Sequence, residues 1–336
     1  MPVLALDVGG ANIKLANASG YADSMEFPLW KRRDALPEIL KEVREHAPVF
    51  QRLALTMTGE LADCFGTKQE GVRFILSCVQ DIFNDVEIRV YLTTGELASV
   101  SSAAERPLDA AASNWHALGR YACRHFPTKG DGAVIDIGST TTDFVPIRDG
   151  KLLNVGRTDP QRLLAGELVY SGIERTPICA MAQTVQLRGA DCPLAAELFA
   201  TSLDIFLVMG LIDEATENHE TADGRPATRE FAKSRLARMV CADAEELTWT
   251  EVNEMARELY RKQVKFAAAR WERAMSAKSL SPELVVISGH GDFLAEAILD
   301  AAGVTSQRIY LSDLINDRAA RCGPAFALAV WAEENW

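Results

Sequence analysis

One motif occurs twice in this chain, and that repetition constrains the fold more than any other feature. Residues Leu4–Lys14 read LALDVGGANIK and residues Ala133–Asp143 read AVIDIGSTTTD. Each copy is an aliphatic run ending in Asp, then glycine and small residues, then a second extended run. This is the pattern of a β-hairpin whose tip presents backbone N–H groups to an oxyanion. A single Asp-x-Gly marks only a turn, whereas its duplication predicts two half-molecules facing one ligand.

Within each copy the carboxylate, Asp7 or Asp136, stands where the apolar strand gives way to a cleft, the place for a metal-bound polyphosphate. Gly9, Gly10, Ala11 and Asn12 in the first loop, and Gly138, Ser139, Thr140 and Thr141 in the second, permit tight turns and close backbone approach. Lys14 and Asp143 hold equivalent positions with opposite charge. Lys14 is expected to touch phosphate, and Asp143 to lie near a metal or nucleophile. A third element, Leu284–Leu294 (LVVISGHGDFL), is a buried-type strand running into a helix. Its Gly289, His290 and Gly291 are expected to seat a flat or anionic group on the helix N-terminus.

Alternating strand and helix patterns predict an α/β chain. At 336 residues it has the length of two domains. The expected division is a first domain over 1–129, a second over 130–318 with a helical insertion at about 190–280, and a C-terminal helix over 319–336 returning to the first. The first domain is read as strands near 3–6, 15–18, 53–56 and 89–92, with helices near 34–46, 69–83 and 109–124. Residues 127–132 are the linker, and Arg148-Asp149-Gly150 turns the chain into a strand over 151–155. Residues 193–277 read as helical with a break at 218–226. There Leu198, Phe199, Ser202, Leu203, Phe206 and Met209 mark a face for the core or for a subunit contact such as a homodimer. The following helix, 250–278, brings Arg257, Lys262, Lys265 and Arg270 either near phosphate or onto a solvated face. Two domains joined by short crossings predict hinge closure.

Composition excludes several function classes. No apolar run approaches the ~20 residues of a membrane span, and no basic-then-apolar leader opens the chain, so no membrane association and a cytoplasmic location are expected. Its 7 Cys are scattered without a Cys-x-x-Cys pair, which suits reduced thiols. A net charge of -12 argues against a nucleic-acid partner. The one compact basic cluster, Lys31-Arg32-Arg33 after Trp30, reads as a solvated turn, or as a contact for a substrate's carboxylates.

The order of the three loops resembles that of the actin, heat-shock chaperone and sugar-kinase superfamily, which implies two ribonuclease-H-like domains around a central cleft. More narrowly, Leu55–Phe65 (LTMTGELADCF), Gly166–Gly172 (GELVYSG), Arg175-Thr176-Pro177, Phe199-Ala200-Thr201, Asp223-Gly224-Arg225 and Arg235–Met239 (RLARM) resemble one family within it. These are the hydantoinase and oxoprolinase-like proteins linked to tetrahydromethanopterin one-carbon metabolism, and the resemblance spans nearly the whole chain. It implies a transferase of methanofuran-type cofactor biosynthesis. Such an enzyme joins an aminomethyl-furanmethanol diphosphate to γ-glutamyl-tyramine, or to another tyrosine-derived phenol, as an aryl ether and releases pyrophosphate.

The residues suit that chemistry. Mg2+ held by some of Asp7, Asp136 and Asp143 would neutralise a departing diphosphate with help from Lys14. Glu60 or Asp63 would accept the proton of the phenol. The segment holding Arg157, Glu167, Tyr170 and Arg175 is expected over the cleft, binding substrate. Two rivals stand beside this reading. One is an ATP-dependent kinase or ATPase, disfavoured because the third loop reads Gly-His-Gly-Asp; the other is a nucleotide-responsive scaffold, which has no need of Glu60 and Asp63 near the phosphates.

Overall fold

The computed structural model describes residues 2–127, 129–153 and 156–336. Met1, Thr128 of the expected linker, and positions 154–155 at the end of the expected strand lie outside the described residues.

Two sheets form the frame. The first comprises β1 (Val3–Val8), β2 (Asn12–Ala16), β3 (Ala22–Glu26), β4 (Arg52–Met57), β5 (Glu87–Tyr91) and β6 (Leu97–Ser99), ordered β3-β2-β1-β4-β5-β6. The second comprises β7 (Asp131–Ile137), β8 (Thr142–Arg148), β9 (Lys151–Leu152), β10 (Leu168–Val169), and after the short hairpin β11 (Thr184–Leu187) and β12 (Ala190–Pro193), the strands β13 (Leu284–Gly289) and β14 (Gln307–Tyr310). Its order is β10-β8-β7-β13-β14, with β9 on β8. In both sheets an antiparallel hairpin, β1–β2 or β7–β8, is followed by a parallel strand, β4 or β13, laid against its first member. Central strands flanked on both sides carry continuous aliphatic runs, and all six residues of β1 are buried.

The longer helices are α1 (Leu36–His46), α2 (Lys68–Ile82), α3 (Asn114–Ala122), α4 (Asp159–Ala165), α5 (Ser202–Met209), α6 (Arg229–Arg238), α7 (Trp249–Ser276), α8 (Asp292–Ala301) and α9 (Gly323–Asn335). Each sheet has its own apolar core. Between them lie α3 and α9. On α3, Trp115 and Leu118 pack on Val134, Val145 and Ile147 of the second sheet, while Ala117 packs on Val3, Ala5 and Ala54 of the first. On α9, Ala327 joins the first of these groups and Leu328, Ala329 and Ala332 the second. Small side chains on both helices allow this close double approach. The expected return of the C-terminal helix is present, but α3 bridges the sheets as much as it belongs to the first.

The helical insertion departs from its expected pattern at the start. Residues 184–193 form the β11–β12 hairpin, turned at Arg188 and Gly189 with φ of 52° and 81°. The helix starts only at Ser202, where Thr201 and Asp204 form a reciprocal capping box, so Leu198 lies outside it and is exposed. Downstream, Arg235 is fully buried, donating to Asp204 at 2.7 Å and Asp223 at 3.0 Å, while Arg238 reaches Asp223 at 3.0 Å. The Asp223 and Arg235 motifs are thus one ion-pair network tying α5 and α6 to the loop between them. Outer-face contacts absorb the charges of α7: Lys262 pairs with Glu258 at 2.8 Å, Arg270 lies over the Phe266 ring, and Arg257 and Lys265 are exposed.

Candidate active site

The duplicated motifs fold as near-identical hairpins. Gly9 N–H donates to the Asn12 carbonyl at 2.9 Å, and Gly138 N–H to the Thr141 carbonyl at 2.9 Å. Asp7 pairs in register with Lys14, and Asp136 with Asp143. The equivalence extends to the next parallel strand, since Thr58 N–H donates to Val8 O at 3.0 Å and His290 N–H to Ile137 O at 2.8 Å. Thr58-Gly59-Glu60 is therefore the first-half counterpart of His290-Gly291-Asp292. Glycine is required where these loops cross the hairpins. A Cβ on Gly59 would stand 2.9 Å from Gly9 O, and one on Gly289, whose φ is +96°, only 2.2 Å from Ile137 O.

A cavity of about 370 Å3 opens between the hairpin tips. Gly10 and Ala11 line it from the first hairpin, and Thr140, Thr141 and Asp143 from the second. The loop after β4 adds Glu60 and Asp63; the segment after β8 adds Asp159, Arg162, Tyr170 and Arg175. Trp30, Asn114 and Trp115 complete it. The two halves also touch across the cleft. Lys68 pairs with Asp159, Lys31 with Glu220 at 2.6 Å, and the Arg175 guanidinium stacks 3.7 Å over Trp30.

Glu60 is the most unusual group here. It is 1% exposed, and neither carboxyl oxygen has a hydrogen-bond partner among the described residues. Burial pushes its pKa up to about 8, aided by Asp159 and Asp7 and opposed by Lys68. Asp63 lines the same cavity but is exposed. Asp7 is held by Asn114 Nδ2 at 3.3 Å through one oxygen and leaves buried Oδ1 unpartnered, with burial raising its pKa against the pull of Lys14. Burial and the facing Asp143 carry Asp136 up to about 6. Asp143 is tied to Arg162 Nη1 at 2.7 Å, and Arg162 also donates to Glu167 O and lies 4.0 Å over Trp115.

Several expected site residues are placed elsewhere. Arg157 is exposed and lines no part of the cavity, and Glu167 is buried in an ion pair with Lys278 at 2.7 Å. Glu167 thus sits in the interior rather than on the cavity, where a buried carboxylate needs a cation and Lys278, just beyond the end of α7, supplies one. Gly289, His290 and Asp292 line a second cavity, of about 410 Å3, beside β14, rather than the one between the hairpin tips. His290 Nε2 there lies 3.1 Å from the Arg321 carbonyl, and burial first, then Lys14, lowers its pKa to about 4. The Lys31-Arg32-Arg33 cluster is spent on Glu220, the Phe27 ring and Glu70.

Among the described residues, no three His, Cys, Asp or Glu side chains form a metal-holding group. Asp7, Asp136 and Asp143 therefore do not make an all-protein cage. The orphaned Asp7 Oδ1, and Asp136 facing a second carboxylate across the hairpin, suit instead a cation that takes its other ligands from phosphate and water, the usual habit of Mg2+.

Trp30, Arg162 and Asn114 are among the cavity residues that carried no individual role in the sequence reading. Trp30 was legible only as the neighbour of a basic cluster. Arg162 stood among several equivalent arginines. Asn114 reaches Asp7 across 107 positions and left no local signal.

A profile of the hydantoinase/oxoprolinase family matches residues 52–331. A curated protein of Methanocaldococcus jannaschii, a (γ-glutamylaminoethyl-phenoxymethyl-furanyl)methanamine synthase, is 33% identical over 330 residues, covering 97% of this chain and 96% of its own. A protein of the same name from Methanococcus vannielii is 34% identical over 128 residues, 38% of this chain and 57% of its own. In structure, a PilM-PilN type IV pilus biogenesis complex aligns over 98% of this chain and 97% of the other with a TM-score of 0.51 at 13% identity, a likeness of fold alone.

Proposed function

Because the chain belongs to the hydantoinase/oxoprolinase family, we propose that it is an ether-forming synthase that makes a phenoxymethyl-furan methanamine, a step in assembling a methanofuran-type one-carbon carrier in the cytoplasm. The phenol oxygen of γ-glutamyl-tyramine, or of a related tyrosine-derived phenol, bonds to the methylene carbon of an aminomethyl-furanmethanol diphosphate. The methylene carbon–oxygen bond to diphosphate breaks, pyrophosphate leaves with the bonding pair, and the phenolic proton passes to a carboxylate.

The observation that carries this reading is the placement of Glu60. An unpartnered, fully buried carboxyl faces the same cavity as both hairpin tips. The tips hold the leaving group through backbone N–H groups and the hydroxyls of Thr140 and Thr141, with Lys14 adding positive charge. Glu60 accepts the proton. Its raised pKa lies nearer the phenol's about 10 than an ordinary carboxylate's does, which favours transfer during bond formation. Asp63, exposed at the rim, is the poorer base. Trp115 and Trp30 offer flat apolar walls for the furan and phenol rings, and the walls exclude water that would otherwise trap the electrophilic carbon. Asp7 and Asp136 would hold Mg2+ together with diphosphate oxygens. That ion would supply neutralisation of the charge gathering on the leaving group.

The test is an incubation of the purified protein with aminomethyl-furanmethanol diphosphate, γ-glutamyl-tyramine and Mg2+, following pyrophosphate release and the mass of the organic product. Stoichiometric pyrophosphate and ether support the synthase. ATP turnover with a small hydroxylated acceptor, and no ether, would replace it with a kinase.

A further inference from the structure

We infer that Trp30 and Arg175 form an acceptor subsite that reads a carboxylate on the tail of the phenolic substrate and so sets the preference for a glutamylated phenol over the bare amine. The inference rests on the synthase reading above and adds to it the residues that discriminate between acceptors.

Trp30 comes from the first half of the chain and Arg175 from the second, and they meet over the cavity mouth with the guanidinium 3.7 Å from the indole centroid. Arg162, the other arginine lining the cavity, has spent its charge on Asp143. Arg175 is different. Among the described residues its guanidinium takes part in no hydrogen bond or ion pair, only its backbone N–H donating to the Ser139 carbonyl at 3.1 Å, and the side chain is exposed against an aromatic face. Stacking fixes the plane of a guanidinium while leaving its N–H edge outward, the presentation that binds a carboxylate through two parallel hydrogen bonds.

The neighbouring chemistry agrees. Tyr170, 58% exposed, lines the same cavity and adds an aromatic group there. A phenol entering with its hydroxyl toward Glu60 would lay its ring between the aromatic walls, leaving its substituent at the mouth. A tail ending in a carboxylate meets Arg175 there. An ammonium tail meets a cation instead and is disfavoured by like charge.

Calorimetric titration of the whole protein with γ-glutamyl-tyramine and with tyramine, each without diphosphate, tests the subsite directly. The glutamylated compound is expected to bind at least tenfold more tightly, and Arg175→Ala is expected to cut that preference below threefold, with Arg175→Lys intermediate because a point charge replaces the fork. Trp30→Ala is expected to weaken the glutamylated compound several-fold by freeing the guanidinium. Equal binding of the two compounds to the unaltered protein, or a preference that survives Arg175→Ala, overturns the inference. Thermal melting of each variant separates loss of the subsite from loss of the fold. Pyrophosphate release is measured in parallel. A preference that depends on Arg175 without any ether formation keeps the carboxylate subsite and removes the synthase reading, whereas ether formation without the preference does the reverse.

Discussion

Asp136 and Asp143 face each other across the second hairpin at the register position where the first hairpin sets Asp7 against Lys14. One half of the duplicated motif pairs opposite charges at its cleft end, and the other pairs like charges. Burial first, and then the facing Asp143, raise the pKa of Asp136. Asp136 keeps its proton to about 6 in the fold against the ordinary 3.8, so between these values the folded chain binds more protons than the unfolded one and stability falls as pH rises. Asp136→Asn removes that penalty. At pH 8 without divalent cations the variant should melt above the unaltered protein, with the difference vanishing below about pH 4. It should also fail to gain stability from Mg2+ with pyrophosphate. A lower melting temperature at pH 8 would contradict a cost from burying the Asp136 charge beside Asp143.

Glu60→Gln replaces a buried carboxyl by an amide of the same shape, so folding should persist. Turnover should fall by about 10²–10⁴, the usual share of a general base. In the unaltered protein the rate should rise with pH through about 8, because only the ionised carboxylate accepts a proton, and this rise should be missing in the variant. A variant that retains the rise transfers the role of base to another group. Asp63→Asn is the control, expected to leave the profile in place.

Arg162→Met leaves Asp143 buried without its cation and should cost about 3–5 kcal/mol in urea unfolding. The loss should be larger at pH 8 than at pH 5. Without Arg162 the folded Asp143 holds its proton to a higher pH than the unfolded residue does, so raising the pH penalises the fold. Arg162→Lys should lose less, since it keeps the charge but gives up the second contact, to Glu167 O.

Arg235→Ala removes the cation shared by Asp204 and Asp223 and should destabilise the helical insertion by a similar amount, about 3–5 kcal/mol. Limited proteolysis should then cut near the loop at 218–226 before the two sheets are attacked. Uniform unfolding with no early cleavage would mean that the insertion is not a separate cooperative unit.

Much of the frame was legible locally. The hairpins of Asp7 and Asp136 announce themselves through aliphatic runs, an aspartate and small turn residues, all within about a dozen positions. The third strand and its glycines do likewise, and the helix read over 250–278 lies within two residues of α7 at each end. The β11–β12 hairpin was not legible, because its four-residue strands are too short to show a period and sit inside a polar stretch compatible with helix.

What the amino-acid sequence determined by itself is therefore the duplicated hairpin architecture, since each hairpin is specified by contiguous residues and the second copy repeats the first. What only the tertiary structure decided is the fate of each charge around the cleft. Glu60 and Glu167 are both glutamates beside a glycine and a leucine in family-like segments, yet one is buried without a partner at the cavity and the other is neutralised by Lys278 from the turn after α7. Asn114 holds Asp7, and Arg162 holds Asp143, for the same reason. A buried charge is set by whatever cation or donor packing brings to it, and packing joins positions far apart in the chain.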